Sequence, residues 1–284
     1  MSDGNMTGKN VVITGATSGL GLVASGRLAR LGARLVLVAR NRAKAEAMLR
    51  QLREKTPLLE AEILIADLSR LDEVRKLAAE LPRAAPRIDV LVNNAGAIFT
   101  RRETTVDGLE RTFALNHMAY FLLTVLLLER LKANAPARIV NVASEAHRST
   151  KLDFGDLQTA QGYSGWLAYR RSKLANILFT RELARRLEGS GVTANCLHPG
   201  FVATAFGDNN GGRFRFALAI AKRFMAIAPE QGGETLVYAA SAPEIAGASG
   251  LYFDQNRPRV PSAAAQDDAA AARLWRESER LAGL

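Results

Sequence analysis

Tyr169 and Lys173 stand four positions apart in the stretch AYRRSKLAN, residues 168–176. Residues i and i+4 of a helix are surface neighbours, so the two side chains converge on one small region. An ammonium beside a phenol stabilises the phenolate and lowers a pKa that starts near about 10. A tyrosine tuned this way trades protons near neutral pH. The same spacing also suits a solvated pair with no chemical role, so its meaning rests on what else the chain brings to the spot.

A second group follows the first apolar run. Residues 14–21 read TGATSGLG, in which Gly15, Gly19 and Gly21 permit a tight turn that sets backbone N–H groups against an anion at a helix start. Thr17 and Ser18 add hydroxyls to that turn, and Leu20 lies in its passage into the helix. Strand, glycine loop, helix and next strand in that order point to the pyrophosphate of a dinucleotide. The second strand ends in VLVAR, where an NAD-type site carries an acidic residue for the ribose 2′-hydroxyl, but Ala39 and Arg40 stand there instead. A guanidinium matches a phosphate bidentately, so Arg40 favours the 2′-phosphate of NADP(H), with NAD(H) left open. The plain alternative makes Arg40 the solvated first residue of the next helix. Asp67, followed by Leu68, is placed to accept a hydrogen bond from an adenine amine. Asn94, Ala95 and Gly96 close a later strand, NNAG, with small residues that let a flat ring approach. An equal reading has Asn93 and Asn94 satisfying backbone groups at the strand end.

The elements that must position these residues are legible in the hydrophobic pattern. Apolar runs suited to buried strands occur at 10–15, 34–40, 61–68, 89–96, 137–144, 192–200 and 250–255. Helix-period segments lie between them near 19–31, 41–55, 70–81, 103–132, 165–188 and 229–241. Continuous Val/Ile/Leu strands are covered on both faces, which marks a parallel sheet between helical layers. Strict alternation therefore predicts an α/β fold, a doubly wound parallel sheet in three α/β/α layers. Ligands of such sheets sit beyond the carboxyl ends of the strands, where the residues named above fall.

With 284 residues, 48% of them apolar, and no linker or low-complexity run, a single domain over 1–284 is expected. The lone Cys196 rules out an internal disulfide, and three scattered histidines without cysteine partners give no metal-ligand spacing. Both fit a reducing, cytoplasmic setting. The N-terminal MSDGNMTGKN lacks the apolar core of a signal peptide, and the run AYFLLTVLLLERL is too short to cross a bilayer. Peripheral contact with a membrane stays open. The net charge of +10 permits polyanionic partners, but the charges are dispersed over helix faces without a basic block and exposed aromatics, so no nucleic-acid partner is expected.

These motifs occur in the order and spacing of the short-chain dehydrogenase/reductases, which the chain resembles over almost its whole length. The carriers are residues 14–21, NNAG, Tyr169 with Lys173, and HPG at 198–200. The phrases TFALNHMAYFLLT, RIVNVASEAH, SKLANILFTRELARRL, GVTANCLHPG, GLYFDQNRPRVPS and ARLWRESERLAG are most similar to the retinol dehydrogenase-like branch. That branch also holds WW-domain oxidoreductases and light-dependent protochlorophyllide reductases.

The resemblance implies a Rossmann-like seven-stranded sheet and reversible hydride transfer between a nicotinamide and an alcohol or carbonyl. It gives Tyr169 the acid/base role, Lys173 the lowering of the tyrosine pKa and the ribose hydroxyls, Ser144 the substrate oxygen, and Asn116 a water of the proton relay. Ala143 stands where the family has the first of two serines, with Ser144 on the catalytic one. Pro199 and Gly200 fall among the cofactor-binding residues by the same comparison, and Val202 and Thr204 on the nicotinamide carboxamide. Residues 205–228 correspond to the substrate lid, with Phe206, Phe214, Phe216, Leu218, Phe224 and Met225 suited to a lipophilic alcohol or aldehyde, to a membrane-facing patch, or to ordinary core packing. The twenty-five positions from Ser144 to Tyr169 exceed the simplest members, so DFGDLQTAQGYSGW is expected to shape one pocket wall. A homodimer is compatible with the apolar helix and the tyrosine-bearing helix. The rival readings are a non-catalytic NADP-binding sensor on the same fold and a light-driven double-bond reductase.

Overall fold

The computed structural model describes residues 4–200 and 229–284. The seven apolar runs form strands β1 (Asn10–Thr14), β2 (Arg34–Ala39), β3 (Ala61–Ile65), β4 (Val90–Asn93), β5 (Ala137–Val142), β6 (Val192–His198) and β7 (Tyr252–Asp254). All pair in parallel, in the spatial order β3-β2-β1-β4-β5-β6-β7. An eighth strand, β8 (Arg257–Arg259), joins antiparallel to β7 and extends the expected seven-stranded sheet. Gln255 and Asn256, at φ 49° and 62°, supply the left-handed pair that a two-residue hairpin requires. The β8 sequence RPR carries no strand pattern, and its proline is tolerated because the strand is an edge.

The helices are α1 (Gly19–Arg30), α2 (Arg42–Lys55), α3 (Leu71–Ala84), α4 (Arg111–Ala133), α5 (Gly165–Arg186), α6 (Pro229–Ser241) and α7 (Asp268–Ala282). Period-two alternation sorts each strand between two cores. Val11, Ile13, Leu35, Leu37 and Val92 pack with Leu28 of α1, Met48 of α2 and Leu236 of α6. Val12, Val36, Val38, Leu91 and Ile139 pack with Val74 of α3, Phe121 of α4, Phe179 of α5 and Trp275 of α7. The three layers follow from that division.

Helix α4 is longer than the apolar run that announced it. By length and composition alone it could cross a bilayer, at mean hydropathy 1.4, but 72% of that window is buried inside the fold, as in a core helix. It starts at Arg111 rather than near 103. Glu110 caps it by accepting from the amides of Thr112 and Phe113, both at 2.8 Å. Before that cap the chain turns at Gly108, φ 76°, and Asp107 accepts from Leu71 N at 3.0 Å, capping α3.

The chain leaves β1 toward β2 and β3, then returns to the opposite side at β4. The carboxyl ends of β1 and β4 therefore flank a topological switch point, where a crevice opens.

Candidate active site

The β1 turn is built for close approach. Gly15 has φ 66°, and a Cβ there would lie 2.8 Å from the Ala95 Cα, so any side chain would push β1 and β4 apart. Thr14 Oγ1 holds the two strand ends together, accepting from Asn94 N at 2.9 Å and Ala95 N at 3.1 Å. Asn94 Nδ2 returns to Thr14 O at 2.8 Å and Gly15 O at 3.2 Å, so this residue satisfies backbone groups while lining the crevice. Asn93 points elsewhere, into a buried relay with Thr124 and Asn141.

Helix α1 begins beside this turn with Gly19 and Leu20, and with Gly21 buried in its first turn. Its N-cap residue Ser18 makes no side-chain cap bond, and no acidic residue lies in the first turn. By contrast α2, α4, α5 and α7 are capped by Asn41, Glu110, Ser164 and Asp267. Among the described residues the first N–H groups of α1 thus have no capping side chain, and they form a fitting seat for a pyrophosphate. Arg40 is exposed at the end of β2, and Thr17 is half-buried. Asp67 Oδ1 holds its own turn by accepting from Ser69 N at 3.1 Å and Ser69 Oγ at 2.8 Å, and Leu68 is buried beside it.

The four chemical residues converge past β4 and β5. Asn116 sits in a π-helical turn, Ala114–Met118, that interrupts α4 and re-aims its side chain. Its Oδ1 accepts from Ala97 N and its Nδ2 donates to Ala97 O, both at 2.9 Å, and to Ser172 Oγ at 3.0 Å. Lys173 Nζ donates to Val142 O at 2.9 Å, a carbonyl that Asn176 Nδ2 also reaches at 3.2 Å. A Cβ on Gly96 would lie 3.2 Å from Asn116 Oδ1 and 3.4 Å from Lys173 Nζ. The missing side chain leaves a gap open to both groups at once.

Ser144 ends the β5 segment and N-caps the 3-10 turn Glu145–Ser149 through its Oγ, 3.2 Å from Ala146 N. Its hydroxyl acts on the Tyr169 phenol, favouring loss of the phenol proton. Trp166, half exposed, stacks on Tyr169 with ring centroids 5.6 Å apart, so the wall segment ends directly on the phenol ring.

Burial governs the electrostatics. It pushes Tyr169 up to about 12, with the Ser144 hydroxyl pulling the other way, and it brings Lys173 down to about 7. The expected lowering of the phenol is thus absent from the chain by itself. Desolvation of a phenolate outweighs a cation 5.8 Å from the ring centroid, and that cation is itself partly discharged at neutral pH.

Sequence reasoning missed several supporting groups. Ser172 bonds both Asn116 and Tyr169 O, His147 accepts and donates around Ser144, and Tyr120 lies with its ring 5.7 Å from Lys173 Nζ. The only signal for His147 was its position three residues past Ser144. Pro199 and Gly200 follow β6 within the described residues, whereas Val202, Thr204 and the 205–228 segment lie outside them. Among the described residues no cluster has the makings of a metal site.

His117, beside Asn116, is wholly buried with Nε2 2.9 Å from Ser278 Oγ, and burial drops it to about 4. His147 and His198 are lowered for the same first cause. A depressed histidine takes its proton in the unfolded chain first, so stability is lost as pH falls from about 6.5 toward 4. His117 alone contributes on the order of 3 kcal/mol to that loss, which denaturant midpoints across the range will measure.

The short chain dehydrogenase family model matches residues 9–212. The chain belongs to that family. Human retinol dehydrogenase 13 is 41% identical over 288 residues, covering 100% of this chain and 87% of the relative. The crystal structure of an uncharacterized protein from Mycobacterium paratuberculosis superposes with TM-score 0.80 at 34% identity, covering 99% of this chain and 95% of the other. The Pseudomonas aeruginosa RhlG/NADP complex superposes at 0.69 with 25% identity, covering 89% and 97%. The chain is therefore an oxidoreductase of the retinol dehydrogenase-like branch, the family expected from its motif order and the branch from its local phrases.

Proposed function

We propose that this oxidoreductase reduces the carbonyl of a lipophilic aldehyde or ketone with NADPH, and runs in reverse on the alcohol. The observation that carries the reading is the meeting of Tyr169, Ser144, Lys173 and Asn116 beside an uncapped α1 and the Gly15 and Gly96 clearances. When bound, the nicotinamide supplies or takes the hydride. The protein does the rest.

Tyr169, a phenol at neutral pH, is the proton donor to a carbonyl oxygen as negative charge grows there, and Ser144 holds that oxygen by hydrogen bonding. Lys173 would bind the ribose hydroxyls, as the family resemblance implies, and these would give its buried ammonium the partners that Val142 O alone does not. Asn116 faces Lys173 across the Gly96 gap, the place for a relay to bulk solvent. Val202 and Thr204 take the carboxamide by resemblance. The Trp166 ring on Tyr169 offers an apolar surface to a substrate, in keeping with a relative named for retinol.

Arg40 is the residue that sets the coenzyme. Exchanging a charge-assisted arginine–phosphate pair costs roughly 1.5–3 kcal/mol, about 10- to 100-fold. Arg40→Asp is expected to reduce kcat/KM for NADPH by that factor while sparing NADH. The test is a screen of aliphatic, aromatic and retinoid aldehydes with both coenzymes. Saturable NADPH binding without consumption of any aldehyde would leave a sensor in place of an enzyme.

A further inference from the structure

His147 lies inside the 3-10 turn that Ser144 opens, with no exposed surface. Its Nδ1 is 2.7 Å from Ser144 O, and its Nε2 is 3.1 Å from Ser262 N. A carbonyl can only accept and an amide N–H can only donate, so both bonds are made by one form alone: neutral imidazole with its hydrogen on Nδ1. Arg148 strengthens the same junction by donating to Val260 O at 2.9 Å. Glu145 accepts from Tyr252 Oη at 2.9 Å and pairs with Arg148, and its amide donates to His198 Nδ1 at 3.1 Å. The Tyr252 ring meets the imidazole edge-on at 5.2 Å.

We propose that His147 is a positioning residue: it latches the backbone of Ser144 to the distant 260–262 segment and so fixes where the serine hydroxyl points. The proposal rests on the substrate-oxygen role given to Ser144 above. Adding a proton at Nε2 removes the acceptor that Ser262 N requires, so the latch opens in acid. Among the described residues the charged and titratable groups around the ring are Glu145, Arg148, His198 and Tyr252, with Asp254 acting on His198. Burial keeps the imidazole below its ordinary range, so opening occurs on the acid side of about 6.5.

Two variants cut the latch at different atoms. Ser262 has φ −61°, already in the proline range, so Ser262→Pro deletes the N–H with little distortion. His147→Asn retains a donor for Ser144 O but cannot reach Ser262. For each, kcat is expected to fall about 3- to 10-fold, the range of one hydrogen bond. NADPH affinity should stay within about twofold, because neither His147 nor Ser262 belongs to the glycine turn or makes a hydrogen bond to it. The acid limb of the kcat–pH profile should vanish in both. Retention of the parental kcat and acid limb, or losses that track only the folded fraction, would overturn the proposal. Ser144→Ala is the separate control, since unchanged turnover there would remove the serine's role whatever the latch variants do.

Discussion

Tyr169→Phe is expected to lower kcat by about a thousandfold or more while NADPH binding and the folded state persist. The substitution removes one oxygen from a side chain that is only 8% exposed, and it keeps the ring stacked on Trp166. What goes is the proton that neutralises the developing alkoxide. Fluorescence titration with NADPH beside steady-state turnover separates the two properties. A variant that binds the coenzyme normally and turns over at the parental rate would end the assignment of the acid.

Lys173→Met is expected to abolish turnover and yet raise stability. The lysine is 4% exposed and held near 7 by desolvation, against an ordinary 10.5. Below about 7 the folded state bears the full cost of enclosing an ammonium group. Between about 7 and 10.5 the unfolded chain still binds the proton while the folded chain has shed it, so stability climbs with pH, up to about 1.4 kcal/mol per unit. The variant should lack that slope, and its advantage, on the order of 1 to 4 kcal/mol near pH 6, should shrink to nothing above about 10.5. Loss of the bond to Val142 O takes back part of the gain, but Asn176 Nδ2 still serves that carbonyl. Thermal unfolding of both proteins from acid to alkaline pH measures the difference.

Much of this architecture was legible because it rests on local rules. Buried parallel strands demand unbroken Val/Ile/Leu runs, and those runs located β1 to β7. Where a rule was overridden, the reading failed for a visible reason. The composition of residues 103–109 tolerates helix, yet Asp107 is spent on capping α3 and Glu110 on capping α4, which sets the helix start at Arg111. Nothing in RPR announces β8, since an edge strand is recruited by its neighbour rather than by its own pattern. The π turn around Asn116 likewise has no one-letter signature.

In the site, spacing singled out Tyr169 and Lys173, and the family resemblance added Asn116 and Ser144. The protonation behaviour of the pair did not follow from spacing. Two groups one turn apart attract in water, but the sign of each shift is decided by how completely the fold shuts water out around them. The contacts that come from far along the chain, Ser262 to His147 and Ser278 to His117, were equally out of reach of local pattern.

Helix α7 has a bearing on how the protein is made. Trp275 completes an aromatic nest with Phe121 and Phe179, at 5.1 and 5.8 Å between centroids, on a core whose other members all precede it by about eighty residues or more except Ala282. During synthesis those two phenylalanines leave the ribosome some ninety residues or more before their lid arrives. Over that interval the nascent polypeptide shows a greasy, sticky hollow, the kind of surface that chaperones cover and that neighbouring nascent chains exploit to aggregate.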